Sequence, residues 1–141
     1  MIRRALLTIA AVALVLSLCR CSRPTETEVF IKAADAVRGV YSFDLPLEDS
    51  LSTYDISFYT RVDAPAGRRS GGSLELNVLW VSPSGERAGE TVHMDAAKLL
   101  ETYRTGVSPL EPGVWTLKVK VKDPPEGFRG LGVVCKENGT R

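Results

Sequence analysis

The 141-residue chain has one histidine and three cysteines, only 7% of it is aromatic, and its 18 Lys+Arg almost cancel 17 Asp+Glu. Each scarcity excludes something. A lone histidine, His93, leaves no partner for a His-based metal site or a catalytic triad. A net charge of +1 does not suit a surface built to hold many phosphates, so no nucleic-acid partner is expected. No C-x-x-C spacing occurs, which removes zinc-ribbon and thioredoxin-like chemistry. The longest apolar run, Ala5 to Leu18, falls short of the ~20 residues that cross a bilayer as a helix. With 25% charged residues and 44% hydrophobic ones, the chain is neither disordered by composition nor fibrous. Its length supports one domain preceded by a targeting segment.

That segment occupies residues 1–18. Arg3 and Arg4 open it, and the apolar run, interrupted only by Thr8 and Ser17, follows. A basic start and a short apolar core are the layout of a secretory signal peptide. Without it the chain loses two arginines, leaving 16 Lys+Arg against 17 Asp+Glu, or net −1. The run ends in Leu16-Ser17-Leu18-Cys19-Arg20-Cys21. A cysteine directly after the apolar core resembles the lipobox of bacterial lipoproteins, where the thiol accepts a diacylglyceryl group. Cysteine is required there because the thiolate is the nucleophile. Cys19 is the expected lipid-attachment site, with Cys21 as the alternative acceptor. Leu18 departs from the small residue usual before that cysteine, and Arg20 departs further. Two other outcomes stay open: ordinary cleavage that frees a soluble protein, or a Cys19–Cys21 pair in an oxidising compartment. Acylated, the chain is expected to attach to the membrane through its N-terminal lipid.

Residues 19–27 read as the lipidated cysteine and a polar tether, and residues 28–141 as the folded domain. Period-2 alternation dominates that domain. Tyr41, Phe43, Leu45 and Leu47 alternate with polar positions over 40–47. Tyr54, Ile56, Phe58 and Val62 share one face over 54–62, opposite Asp55, Ser57, Tyr59 and Arg61. Leu74, Leu76, Val78 and Trp80 form a third stripe, and Leu79 with Val81 makes its other face partly apolar, as for a central strand covered on both sides. Ser82-Pro83-Ser84-Gly85 is turn chemistry, and 86–94 returns with Val92 and Met94 inward. Trp115, Leu117, Val119 and Val121 alternate with Thr116, Lys118, Lys120 and Lys122. The last strand spans about 128–136, with Leu131, Val133 and Cys135 inward; Cys135 is expected as a free, buried thiol. One helix is expected over Asp95–Tyr103, where Ala96, Leu99, Leu100 and Tyr103 follow helical spacing between an Asp95 N-cap and Gly106. The fold expected is therefore all-β, an antiparallel β-sandwich of about six to eight strands with one short helix. A barrel is the second choice. A domain of ~120 residues buries enough surface to need neither disulfide nor metal.

The chemistry-bearing residues do not assemble into a catalytic pattern. His93 lies on the polar side of a strand, near Glu90 and Asp95, and reads as a solvated histidine. Asp44, Glu48 and Asp49 lack EF-hand spacing. Ser70, Ser73, Ser82 and Ser84 lie in loops without a Gly-x-Ser-x-Gly elbow. Arg68-Arg69-Ser70-Gly71-Gly72 precedes a strand, whereas a phosphate cradle precedes a helix. Gly130-x-Gly132 is too short for a dinucleotide fingerprint. Lys118, Lys120 and Lys122 form a row that reads either as a site for an anionic partner or as protection of a solvent face. Tyr59 and Tyr103 are the only outward aromatics expected, and Asn138-Gly139-Thr140 is a sequon without meaning in a bacterial lipoprotein. No enzyme, cofactor or metal is expected.

In order and spacing, several segments resemble the GldH-type gliding-motility lipoproteins of Bacteroidetes-like bacteria. They are Cys19, Phe43-Asp44-Leu45-Pro46, Tyr54 to Arg61, Ser82-Pro83-Ser84-Gly85, Glu90-Thr91-Val92, Glu111 to Leu117, and Leu131-Gly132-Val133. The resemblance spans most of residues 40–135. It implies an envelope lipoprotein that works with other envelope proteins of a gliding or secretion machinery and carries no catalytic residues; the tether, where Arg20-Cys21-Ser22-Arg23 and no acidic stretch follows Cys19, places the domain facing the periplasm. Capture of a glycan or another small ligand for nutrient uptake is the alternative function.

Overall fold

The structure is a computed structural model that describes residues 25–63 and 72–140. Residues 1–18, read above as a signal segment, with Cys19, Cys21 and Arg68 to Gly71, lie outside the described residues. Among the described residues eight strands follow one another: β1 (Glu26–Lys32), β2 (Val40–Leu47), β3 (Ser52–Val62), β4 (Ser73–Val81), β5 (Arg87–Asp95), β6 (Glu101–Val107), β7 (Gly113–Lys122) and β8 (Phe128–Thr140). They form two four-stranded antiparallel sheets, ordered β1-β8-β3-β6 and β2-β7-β4-β5. The inner faces of both sheets contribute to one core. This is the expected all-β sandwich.

Alternation explains the strands. In β2, Tyr41, Phe43, Leu45 and Leu47 are buried, while Ser42, Asp44 and Pro46 face solvent. Pro46 is tolerated because β2 is an edge strand, bonded only to β7, so its missing N–H costs no ladder bond in mid-sheet. In β3, Tyr54, Ile56 and Phe58 point inward against Leu131, Val133 and Cys135 of β8. Val62 does not simply extend that stripe, because the register shifts between Arg61 and Val62. The β4–β5 hairpin closes where Ser82 accepts from the Gly85 N–H (2.9 Å), with Gly85 at φ +94°. Cys135 is free and buried as expected, and burial pushes its thiol up to about 11.

Three expectations need correction. The segment expected to be helical is a turn followed by β6. Asp95 Oδ1 accepts the Ala97 N–H and the Asp95 carbonyl accepts from Lys98, which closes a tight reversal before a helix can start. Leu99 is then 85% exposed, and Tyr103 is free to enter β6 and pack on Phe58. A nine-residue helix has little stability of its own, so the gain from pairing β6 with β3 decides the outcome. The only helical turn among the described residues is a 3₁₀ turn at Ala33–Asp35. Second, β4 is central within its sheet but is not covered on both faces. Leu79 shares the open outer face with Lys118 and Lys120. Third, strand structure begins at Glu26, inside the segment read as tether; Glu26 and Thr27 already pair with Lys136 and Cys135.

Candidate functional site

Sites of chemistry in a sandwich form where strand ends leave the two sheets imperfectly closed. Trp80 lies near the end of β4, just before the Ser82 turn, and Trp115 near the start of β7. Both point toward the core side yet remain half-buried. Their rings meet edge to face, with centroids 6.0 Å apart and planes at 79°. Tyr103, from β6 of the opposite sheet, stacks on Trp80 at 6.2 Å and packs against Phe58 at 4.9 Å. Three aromatic rings therefore bridge the two sheets where the β6 edge approaches β4.

Every polar handle of this cluster is engaged. Trp80 Nε1–H donates to Tyr103 Oη (2.9 Å), and the Tyr103 hydroxyl donates in turn to Glu90 Oε1 on β5. Arg104 Nη2 donates to both Glu90 oxygens, at 2.7 Å to Oε1, and its guanidinium lies 5.4 Å from the Tyr103 ring centre. Trp115 Nε1–H donates to the Glu111 carbonyl (2.8 Å). Burial, then the bond to the Glu90 carboxylate, push the Tyr103 hydroxyl up to about 12. The bonds from Tyr103 and Arg104 hold Glu90 below the ordinary carboxylate range. Tyr103 stays a neutral phenol and Glu90 an anion at neutral pH, so neither is tuned for proton transfer there.

Beside the cluster lies a groove of about 250 Å³, lined by Leu47, Trp80, Arg104, Val107, Leu110 and Trp115. Its walls are apolar and aromatic, with Arg104 at the rim already bound to Glu90. Leu110, in the β6–β7 loop, is 99% exposed. The arrangement can bind an apolar or flat group by contact. Sequence reasoning placed both tryptophans among core positions and missed the groove. A usable signal was present: each Trp carries an N–H that needs a partner, and each sits beside a turn.

The residues singled out from the sequence do not converge here. His93 is 63% exposed, with Nε2 3.7 Å from Glu75 Oε2 across the β4–β5 ladder. Lys122 Nζ reaches the same glutamate at 3.5 Å. Lys118 and Lys120 flank an open depression with Asn77, Leu79 and Thr91 on the outer face. Asp44 accepts from Thr116 Oγ1 (3.1 Å). Asp49 holds the β2–β3 turn by accepting from the Leu51 N–H and the Ser52 hydroxyl (both 2.9 Å). Ser82, buried in the hairpin, accepts from the Glu86 N–H (3.0 Å) and contacts Ser84 Oγ. Tyr59 faces outward as expected, stacked on Phe30 at 5.8 Å, with its hydroxyl donating to Glu28 (2.6 Å). Among the described residues no group of three or more His, Cys, Asp and Glu could hold a metal ion, and no helix is long and apolar enough to cross a membrane. No protein-family model, curated protein or solved structure matches the chain.

Proposed function

We propose that this chain is a non-enzymatic, lipid-anchored protein of a bacterial cell envelope, an accessory or assembly subunit of a gliding-motility or secretion-type complex. The observation that carries the reading is the placement of Cys19. It stands directly behind a basic start and an apolar run, seven positions before the first strand begins at Glu26. A chain so arranged is exported, acylated at Cys19 (or at Cys21) and held by its lipid with the sandwich in the periplasm. The gliding or secretion assignment rests on the ordered segments that resemble the GldH-type lipoproteins. The non-enzymatic assignment is supported by the groups around the groove, whose polar atoms are bound to one another.

A second reading, capture of a small ligand, draws on one specific observation. Trp80 and Trp115 are not sealed in the core but line the groove with Leu110. A flat or apolar group stacking there would fit a nutrient-capture lipoprotein.

In-cell crosslinking, followed by affinity capture of the tagged protein from membranes and mass spectrometry, separates the two. Recovery of gliding or secretion-channel components is the expected result. Recovery of sugar-uptake proteins supports ligand capture, and a preparation that repeatedly yields no partner contradicts the assembly role.

A further inference from the structure

We propose that the end of the sandwich bearing the β2–β3 turn, the β4–β5 hairpin and the β6–β7 loop docks on the bilayer surface, with Leu51 and Leu110 inserted among uncharged phospholipid headgroups. This inference rests on the lipid-anchor reading above.

The topology fixes which end this is. Glu26, the first residue of β1, pairs with Lys136 near the end of β8, and Ser52, the first residue of β3, pairs with Thr140. Tyr54 pairs with Val107 at the end of β6, and Leu47 with Gly113 at the start of β7. Residues 48–51, 82–86 and 108–112 therefore share the end at which the chain enters the domain. The seven positions from Cys19 to Glu26 span at most about 25 Å when fully extended. A lipid on Cys19 keeps this end close to the headgroups, and a lipid on Cys21 keeps it closer. Strand β3, with 11 residues, sets the opposite end roughly 30 Å further away.

The surface so positioned is suited to contact with lipid. Leu110 is 99% exposed and Leu51 66% exposed. Both tryptophans of the chain lie at this end, half-buried behind Leu110, the position that indole rings favour at a membrane interface. The opposite end also exposes apolar side chains, Val37 and Leu99 among them, but it meets the membrane only with the tether almost fully extended and the domain turned over. Charge selects the kind of lipid. At this end the acidic Glu26, Glu48, Asp49, Glu86, Glu111 and Glu137 are roughly balanced by Arg87, Lys136, Arg141 and the tether residues Arg20 and Arg23, so it carries no surplus of positive charge. Such a surface gains nothing from anionic headgroups, so docking proceeds by apolar insertion into a zwitterionic, phosphatidylethanolamine-rich surface.

The test uses the mature lipidated protein in phosphatidylethanolamine–phosphatidylcholine vesicles. The tether cysteine that carries no lipid is replaced by serine. An environment-sensitive fluorophore is attached at Leu110→Cys or, in a second protein, at Leu99→Cys. Both positions are exposed, so neither label disturbs the core. The label at 110 is expected to shift to the blue and to lose most of its emission to lipids brominated near the headgroup, while the label at 99 does neither. Trp80 and Trp115 of the unlabelled protein together provide a second reading through the same quencher. A label at 110 that stays unquenched on protein shown by mass to carry lipid overturns the docking proposal alone. A chain without lipid overturns the anchor reading and the docking with it. Quenching that requires added phosphatidylglycerol contradicts apolar insertion.

Discussion

Gly132 offers the sharpest test of how the β1-β8-β3 face is packed. It lies in β8 opposite Phe30 of β1 and Tyr59 of β3, whose rings stack across it with centroids 5.8 Å apart and planes at 16°. Its backbone is ordinary strand, so the position does not need glycine for its φ. It needs glycine for space, because a methyl group would fall inside the Tyr59 ring. Gly132→Ala must swing Tyr59 off Phe30. The lost aromatic pair is worth about 0.5–1.5 kcal/mol, and accommodating the extra carbon adds about 1–3 kcal/mol. A net loss of about 2–3 kcal/mol moves the urea midpoint of the mature protein down by about 1–2 M. The companion variant carries the argument. With Tyr59→Ala the obstacle is gone, and Gly132→Ala should then be neutral or stabilising by about 0.5 kcal/mol, through the lower entropy of the unfolded chain. The coupling between the two positions is therefore about 2–3 kcal/mol. Equal costs of Gly132→Ala in both backgrounds would refute this account of the face.

Other consequences follow from the polar network and the core thiol. The folded-state pKa of Glu90 is depressed, first by Tyr103 and then by Arg104, so its stabilisation is complete above the ordinary value of 4.5 and is lost as pH falls below it. Urea midpoints measured downward from pH 6 should fall less steeply in Glu90→Gln than in wild type. Some slope should persist, because Asp55, bonded first by Asn138 and then by the Gly106 N–H, is shifted the same way. An identical acid limb in both proteins contradicts the network. Cys135, with its thiol at about 11 and its side chain in the core, should resist iodoacetamide at pH 8 in the folded protein and react promptly in 8 M urea. Rapid alkylation of the native protein would mean that β8 does not seal that position.

What the sequence revealed depended on whether a segment's own pattern named its partner. β2, β3, β4, β7 and β8 alternate so regularly that their inward residues can be read off directly, Phe43 and Leu117 to Leu131 and Val133 among them. The Ser82–Gly85 turn was equally plain, since Pro83 fixes φ and Gly85 can take the positive φ the turn needs. β6 was not legible. Leu99 and Leu100 sit at helical spacing from Ala96 and Tyr103, but both leucines are exposed, and Tyr103 is held from outside by Phe58, Trp80 and Glu90. Those three residues lie 13 or more positions away along the chain, where no local pattern reports them. The groove was hidden for the same reason. Whether Trp80 and Trp115 are sealed or half-exposed depends on how far the β6 edge stands from β4, which only the paired sheets determine.

The central claim is that a lipid on the cysteine following the apolar run holds this sandwich to the envelope, and the mass of the mature N-terminus tests it most directly. Protein purified from membranes in detergent, digested and analysed by mass spectrometry, should begin at Cys19 with a diacylglyceryl group on its thiol, or at Cys21 if that cysteine is the acceptor. An N-terminal peptide with both cysteines present and unmodified, whether cleaved or still joined to residues 1–18, would contradict the account.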